Sequence, residues 1–190
     1  FSGIYSAGSF LDLKDINLKI EPNDKLAIVG MSGSGKSTMV KLLVDFFSPS
    51  KGKLTFNGFD STKVDKHVLR SYVNYVPQTP YIFSGTIKEN LLLGSRPDIT
   101  EKDILKACQI AEIESEIEQL PLQFETKMDE NAKILSGEQK QRLTIARALL
   151  SPAKILIFDE ATSGLDTITE KKVVDNLMKL KDKTIIFIAH

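Results

Sequence analysis

The sequence predicts an α/β fold: a mostly parallel sheet with an antiparallel β edge and a helical subdomain. Three observations carry that expectation. Residues 26–29, 155–158 and 184–189 are short continuous apolar runs, the pattern of strands buried on both faces, and helical patterns lie between them. Asn57-Gly58 stands between alternating apolar residues in KLTFNGFD, a hairpin signal, because both turn residues tolerate positive φ. Helical spacing is concentrated in the middle third. The expected core is 1–78 and 151–190, with the helical subdomain over about 84–150.

In chain order, INLKI at 16–20 alternates as a half-buried strand does, EPND at 21–24 is turn chemistry, and 26–29 is a buried strand. The segment STMVKLLVDFF crowds Met39, Val40, Leu42, Leu43, Val44, Phe46 and Phe47 into a buried helix, which PSKG at 49–52 ends. After the hairpin, His67 reads as a surface helix residue, and YVNYV at 72–76 as a strand broken by Pro77. The segment from 100 to about 120 reads as helical, with Thr100 and Asp103 resembling a capping box and Ile104, Ala107, Cys108 and Ala111 at helical spacing. The acidic run EIESEIEQ reads as a solvated face rather than a metal site. QRLTIARALL is a helix, 155–158 a strand, TEKKVVDNLMKL an amphipathic helix and 184–189 a strand.

Composition narrows the function classes. The 190 residues are 42% hydrophobic, ordinary for one globular domain, and 25 Lys and Arg balance 25 Asp and Glu, so no bulk positive field favours nucleic acid. The single cysteine, Cys108, has no partner for a disulfide and reads as core, which fits a reducing cytosol. No apolar run reaches the roughly 18 residues that span a bilayer. The start on Phe1 and the stop at His190, directly after an apolar run, lead us to expect a fragment of a longer chain.

Two motifs carry chemistry. GMSGSGKST places Gly30, Gly35, Lys36 and Ser37 in the glycine, four residues, Gly-Lys-Ser/Thr pattern, with Ser32, Gly33, Ser34 and Thr38 within the same turn. A triphosphate needs many donors at close range; glycines let amides turn inward, the helix start adds its dipole, Lys36 supplies a cation and Ser37 a hydroxyl for Mg²⁺. Chance yields the pattern in roughly 1 in 150 chains of this length, and a strand before it and a helix after it make accident a poor account. ILIFDE then ends a buried strand on two carboxylates, which suit a Mg²⁺ shell at Asp159 and a general base at Glu160 reaching an attacking water. A capping role would explain one carboxylate and not the pair.

With LSGEQKQR these residues resemble the nucleotide-binding domain of ATP-binding cassette transporters, over essentially the whole chain. Leu135, Ser136, Gly137 and Gln139 match the signature Leu-Ser-Gly-Gly-Gln, and Glu138 replaces its second glycine. The resemblance implies a P-loop NTPase fold with a RecA-like sheet, ATP and Mg²⁺ as ligands, and hydrolysis. It also implies a head-to-tail dimer with a second such domain, expected to be a second copy, in which the Ser136 turn of one copy closes on the phosphates held by the other. Gln78 is similar to the loop glutamine that senses Mg²⁺ and the membrane domain; Ser163, Gly164, Leu165 and Asp166 match the dimer-contact loop; His190 matches the histidine that touches the γ-phosphate; Tyr5 is the candidate for stacking on adenine. Glu130, Asn131 and Ala132 stand where the family has Glu-x-Gly.

PYIFSGTIKENLLLG is similar to exporters, in which this surface receives the coupling helices of the transmembrane domain. With AEIESEIEQLP and DEATSGLDTITEKKVVDNL it resembles bacterial exporters of double-glycine-leader peptides such as bacteriocins and pheromones, many of which carry an N-terminal cysteine peptidase. The resemblance implies a cytosolic domain at the inner face of a bacterial cell membrane, with peptide cargo handled by the membrane domain and no nucleic acid partner. Weighed against this are a phosphotransferase, which has no use for LSGEQ; a soluble cassette ATPase acting on DNA or ribosomes; an exporter of lipids or drugs; and a non-hydrolysing module, disfavoured by Glu160.

Overall fold

The computed structural model describes residues 2–5, 13–44, 48–129 and 133–189. In chain order its strands and helices are β1 (Ser2–Tyr5), β2 (Leu13–Asn17), β3 (Lys25–Val29), α1 (Lys36–Leu43), β4 (Lys51–Lys53), β5 (Thr55–Phe56), β6 (Phe59–Asp60), α2 (Lys66–Tyr72) and β7 (Val73–Val76). There follow β8 (Gly85–Thr86), α3 (Ile87–Leu92), α4 (Glu101–Ile110), α5 (Glu114–Glu118), β9 (Lys127–Met128), α6 (Gly137–Leu150), β10 (Ile155–Asp159), α7 (Thr167–Met178) and β11 (Thr184–Ala189). The chain forms two compact units, one of 1–75, 153–157 and 182–190, the other of 76–152 and 158–181. No described helix is long and apolar enough to cross a membrane.

The α/β fold with a parallel sheet is as expected. The central sheet has the order β3-β11-β10-β7, and β3 and β11 run parallel with Ala189 opposite Val29. In the first unit Val40, Leu43 and Val44 at the end of α1 pack against Ile157, Ile186 and Ile188 of the sheet. Each such side chain contributes about 1.5–3 kcal/mol relative to exposure. The antiparallel edge is β2-β1-β4, and β5-β6 form a separate two-stranded hairpin. Asn57 at φ 49° and Gly58 at φ 81° form the hairpin turn, the backbone that the Asn-Gly pair is suited to.

One expectation is corrected. The first strand after the start runs over Leu13–Asn17 rather than 16–20, because its antiparallel pairing with β1, Ile16 opposite Gly3, sets its limits. The pairing shifts register between Gly3 and Tyr5, and Asp15 takes φ 53° in β2, so the alternation that suggested the later strand is not the paired one. The helical segment expected over 100 to about 120 is formed by α4 and α5, with a break between them where Glu112 adopts φ 55°. The break is stabilised from outside: Asn176 of α7 donates to the Ile110 carbonyl at 3.2 Å and to Glu112 Oε1 at 2.9 Å, and Arg142 of α6 donates to the Glu112 carbonyl. Arg142 also pairs with Glu116 at 2.7 Å, so part of the acidic run anchors helices instead of facing only water. The later residues of the expected first helix, 45–47, lie outside the described residues.

The second unit is built on α6, which packs against α3 and α4. Capping boxes fix three of its helices: Thr86 with Glu89 on α3, Thr100 with Asp103 on α4 and Ser136 with Gln139 on α6. Cys108 is fully buried, as its apolar row implied.

Candidate functional site

In the first unit, β3 ends at Val29 and the loop from Gly30 leads into α1. Ser34 donates its amide to the Met31 carbonyl at 3.1 Å, closing a turn, and Gly35 takes φ 92° as the residue before the helix. A side chain at Gly35 would be strained by that backbone and would also meet Leu13 Cδ2 at 2.6 Å. Ser32, Gly33 and Ser34 are exposed, Ser37 is exposed at the first turn of α1 and Thr38 is half-buried. Lys36 is 9% exposed, its chain folded back so that Nζ donates to the carbonyls of Gly30 and Met31, the latter at 3.0 Å. The cation thus sits on the loop that sequence assigns to phosphate, beside a helix start whose first amides lack helical acceptors.

β10, whose Leu156, Ile157 and Phe158 are 0–1% exposed, ends on Asp159, and Glu160 follows it; both carboxylate residues belong to the second unit. Both carboxylate residues are half-buried, which leaves them reachable. Glu160 has φ 51°, a conformation that costs a non-glycine residue of order 1–3 kcal/mol and that gathers at functional sites. The turn is held by Ser163, whose amide and hydroxyl both donate to the Glu160 carbonyl, at 3.2 and 2.8 Å. Gln78 Nε2 donates to Glu160 Oε2 at 3.1 Å, so two residues 82 apart in sequence are brought together. A neutral amide donor orients the carboxylate without neutralising it.

The signature turn is a helix N-terminus in the plain sense. Ser136 caps α6: its Oγ accepts from the Gln139 amide at 3.2 Å while Gln139 Oε1 accepts from the Ser136 amide at 2.8 Å. The capping box leaves out the amides of Gly137 and Glu138, and Ser136 and Gly137 are exposed. Glu138 lies in the first turn of α6, where the helix dipole favours a carboxylate, which accounts for an acid at a glycine position. Asp166 caps α7, accepting from the Ile168 and Thr169 amides at 3.0 and 3.1 Å, and hydrogen bonds from the Thr169 side chain first and then from these amides hold its carboxyl below the ordinary value. Tyr5 stands in β1 opposite Leu13. His190 and the 130–132 segment lie outside the described residues.

Sequence reasoning missed the supports. Asn90 of α3, 2% exposed, donates to the Phe83 and Thr86 carbonyls at 2.8 and 3.0 Å and accepts from the Phe83 amide at 2.8 Å. Arg147 of α6 donates to the Tyr81 carbonyl at 2.8 Å and lies 5.4 Å from the Phe83 ring centroid, and burial lowers its pKa. Tyr81 and Phe83 meet edge to face at 4.7 Å and stay 63% and 41% exposed, a held aromatic platform. The Thr86-x-x-Glu89 spacing was the one signal in sequence that something here was built.

A family model described as ABC transporter matches residues 13–163. The lactococcin-A transport/processing ATP-binding protein LcnC of Lactococcus lactis is 60% identical over 94% of this chain, and the pediocin PA-1 transport/processing ATP-binding protein PedD of Pediococcus acidilactici is 56% identical over the same share. The transport/processing ATP-binding protein ComA of Streptococcus pneumoniae is 52% identical, again over 94%. The chain spans 25% of the length of each of these relatives. Among solved structures, a bacterial Atm1-family ABC exporter with ATP bound superposes with a TM-score of 0.89 at 34% identity, covering all of this chain and 34% of that one. The resemblance drawn from LSGEQ and the phosphate loop is thereby borne out, and the chain belongs to the ABC transporter family.

Proposed function

We propose that this chain is the ATP-binding and ATP-hydrolysing domain of an exporter that moves peptides of the bacteriocin or pheromone kind. The observation that carries the hydrolytic part is Glu160, turned to φ 51° at the end of a buried strand with its carboxylate oriented by Gln78. The names of the relatives, lactococcin, pediocin and ComA transport/processing proteins, support the cargo class and a place at the cytoplasmic face of a bacterial cell membrane.

In this reading ATP is the substrate. The Gly30, Ser32, Gly33, Ser34 and Gly35 loop and the amides opening α1, at Lys36, Ser37 and Thr38, take its phosphates, with the Lys36 cation among them. Among the described residues no three His, Cys, Asp or Glu side chains are grouped to cage a metal, which fits Mg²⁺, an ion that keeps water and phosphate oxygens and takes one or two protein oxygens. Ser37 and Asp159, with Gln78 beside them in role, are the residues that would hold it. Bound Mg²⁺ would neutralise charge on the phosphates. Glu160 accepts the proton of the attacking water, Tyr5 stacks on adenine, and His190 touches the γ-phosphate. A second copy of the domain supplies Ser136, Gly137 and Gln139 to each nucleotide, with Asp166 in the contact loop, and the Tyr81 and Phe83 platform receives the coupling helices of the transmembrane domain, which handles the cargo. No role for nucleic acid enters.

Phosphate release and binding of a fluorescent ATP by the full-length protein in membranes test the reading. Glu160→Gln is expected to lower turnover by about 100-fold or more while ATP binding persists, the scale of a lost general base. Hydrolysis at the wild-type rate in that variant would sink the assignment of Glu160.

A further inference from the structure

Gln141 lies on α6, one turn and a half beyond Ser136, and is 4% exposed. Its Nε2 donates to the Pro77 carbonyl at 3.3 Å, while its Oε1 is buried with no hydrogen-bond partner among the described residues. Pro77 immediately precedes Gln78, whose amide holds Glu160 at 3.1 Å. One helix therefore carries the exposed turn at Ser136 and Gly137 and also grips the segment that orients the glutamate. All of these residues belong to the same compact unit.

Stability does not account for a glutamine here. It makes one long hydrogen bond and leaves one buried acceptor unsatisfied, and an orphaned buried polar atom costs more than one long bond returns. A methionine would fill the same length of space with no orphan. The unsatisfied Oε1 is instead an acceptor ready for a donor that a shift of α6 against the Pro77 segment would bring.

We propose that Gln141 is a positioning residue that couples the two nucleotide sites of the dimer. The inference rests on the function proposed above, in which the Ser136 turn of one copy engages the nucleotide bound to the other. Engagement displaces α6 along its length as a rigid element; Gln141 passes the displacement to Pro77 and Gln78, and Gln78 re-aims Glu160 in the copy's own site. Each site thus reports its occupancy to the glutamate of the other, and the coupling is reciprocal for binding.

The experiment measures ATP turnover against ATP concentration, together with thermal unfolding, for the full-length protein in lipid vesicles: wild type, Gln141→Met, Gln141→Leu and Glu160→Gln. Wild type is expected to show a Hill coefficient above 1 and no more than 2, the number of sites. Gln141→Met and Gln141→Leu are expected to bring it to 1 and to lower turnover by about fivefold or more, the lower end of ordinary coupling, with half-saturating ATP little changed. The unfolding midpoint of Gln141→Met is expected to hold or rise, since the orphaned acceptor is gone. A Hill coefficient unchanged in both variants, a wild-type coefficient of 1, or a loss of turnover that tracks a fall in the midpoint would each overturn the coupling. Glu160→Gln reports separately on the underlying reading: full hydrolysis there refutes Glu160 as base, whatever the Gln141 variants do.

Discussion

At the scale of single residues, burial decides chemistry more firmly than residue type. Cys108 is a thiol in a helix core, and burial, with the Glu114 carboxylate adding to it, pushes its pKa from the ordinary 9.0 up to about 12. A raised thiol pKa means that the neutral form is the folded form, so this group's contribution to stability is complete below pH 9 and is lost as pH rises from there towards 12. The expected outcome is that an aromatic disulfide reagent leaves Cys108 unmodified at pH 8 in the folded protein and modifies it quickly in denaturant, read by absorbance. Glu160 makes the complementary case: a side chain that sequence could assign to catalysis, held in a backbone conformation that sequence could not show. The residues proposed to hold phosphate were legible because phosphate chemistry demands those residue types in a row. Gln78 meeting Glu160 was legible as two separate assignments, and only folding showed that one orients the other.

At the scale of elements, caps and side-chain anchors set where helices begin and stop. The Thr100 and Asp103 box was legible, and the boxes at Thr86 with Glu89 and Ser136 with Gln139 carry the same spacing. Asp103 and Asp166 cap α4 and α7, and hydrogen bonds from Thr100, in the one case, and from Thr169 and Ile168, in the other, lower their pKa values. A lowered carboxyl pKa gives stability that is present above pH 3.8 and lost as pH falls through the folded-state value. Helical circular dichroism followed from pH 6 to pH 2 is therefore expected to fall at a lower pH in wild type than the ordinary carboxylate range suggests, and Asp166→Asn is expected to flatten part of that dependence. Asn90 anchors the Tyr81 and Phe83 loop with three hydrogen bonds. Asn90→Ala is expected to lower the unfolding free energy by about 2 kcal/mol or more, since each buried partner left unpaired costs about 1–3 kcal/mol, and denaturant titration reads it. Nothing in the sequence singled out Asn90, Gln141 or Arg142, because a buried polar residue within an apolar helix looks like one facing solvent until its partners are placed.

At the scale of the whole molecule, the proposed sandwich makes the exposed Ser136 turn an instrument of the neighbouring copy. Ser136→Arg puts a large cation into the anion-facing turn and removes the cap, and light scattering on Glu160→Gln protein with and without Ser136→Arg is expected to show an ATP-dependent dimer only in its absence. Dimerisation indifferent to both ATP and Ser136 would contradict the sandwich. Sequence alone determined the α/β class, because continuous apolar strands are the local requirement of a sheet covered on both faces, and it picked out the glycine loop, the acidic pair and the LSGEQ turn as the proposed site. Tertiary structure alone decided the break at Glu112, the limits of β2, the Gln78 contact with Glu160 and the grip of Gln141 on Pro77. Those depend on residues tens of positions apart, whose pairing is fixed by packing and by the need of every buried donor to find an acceptor, and neither is written in local spacing.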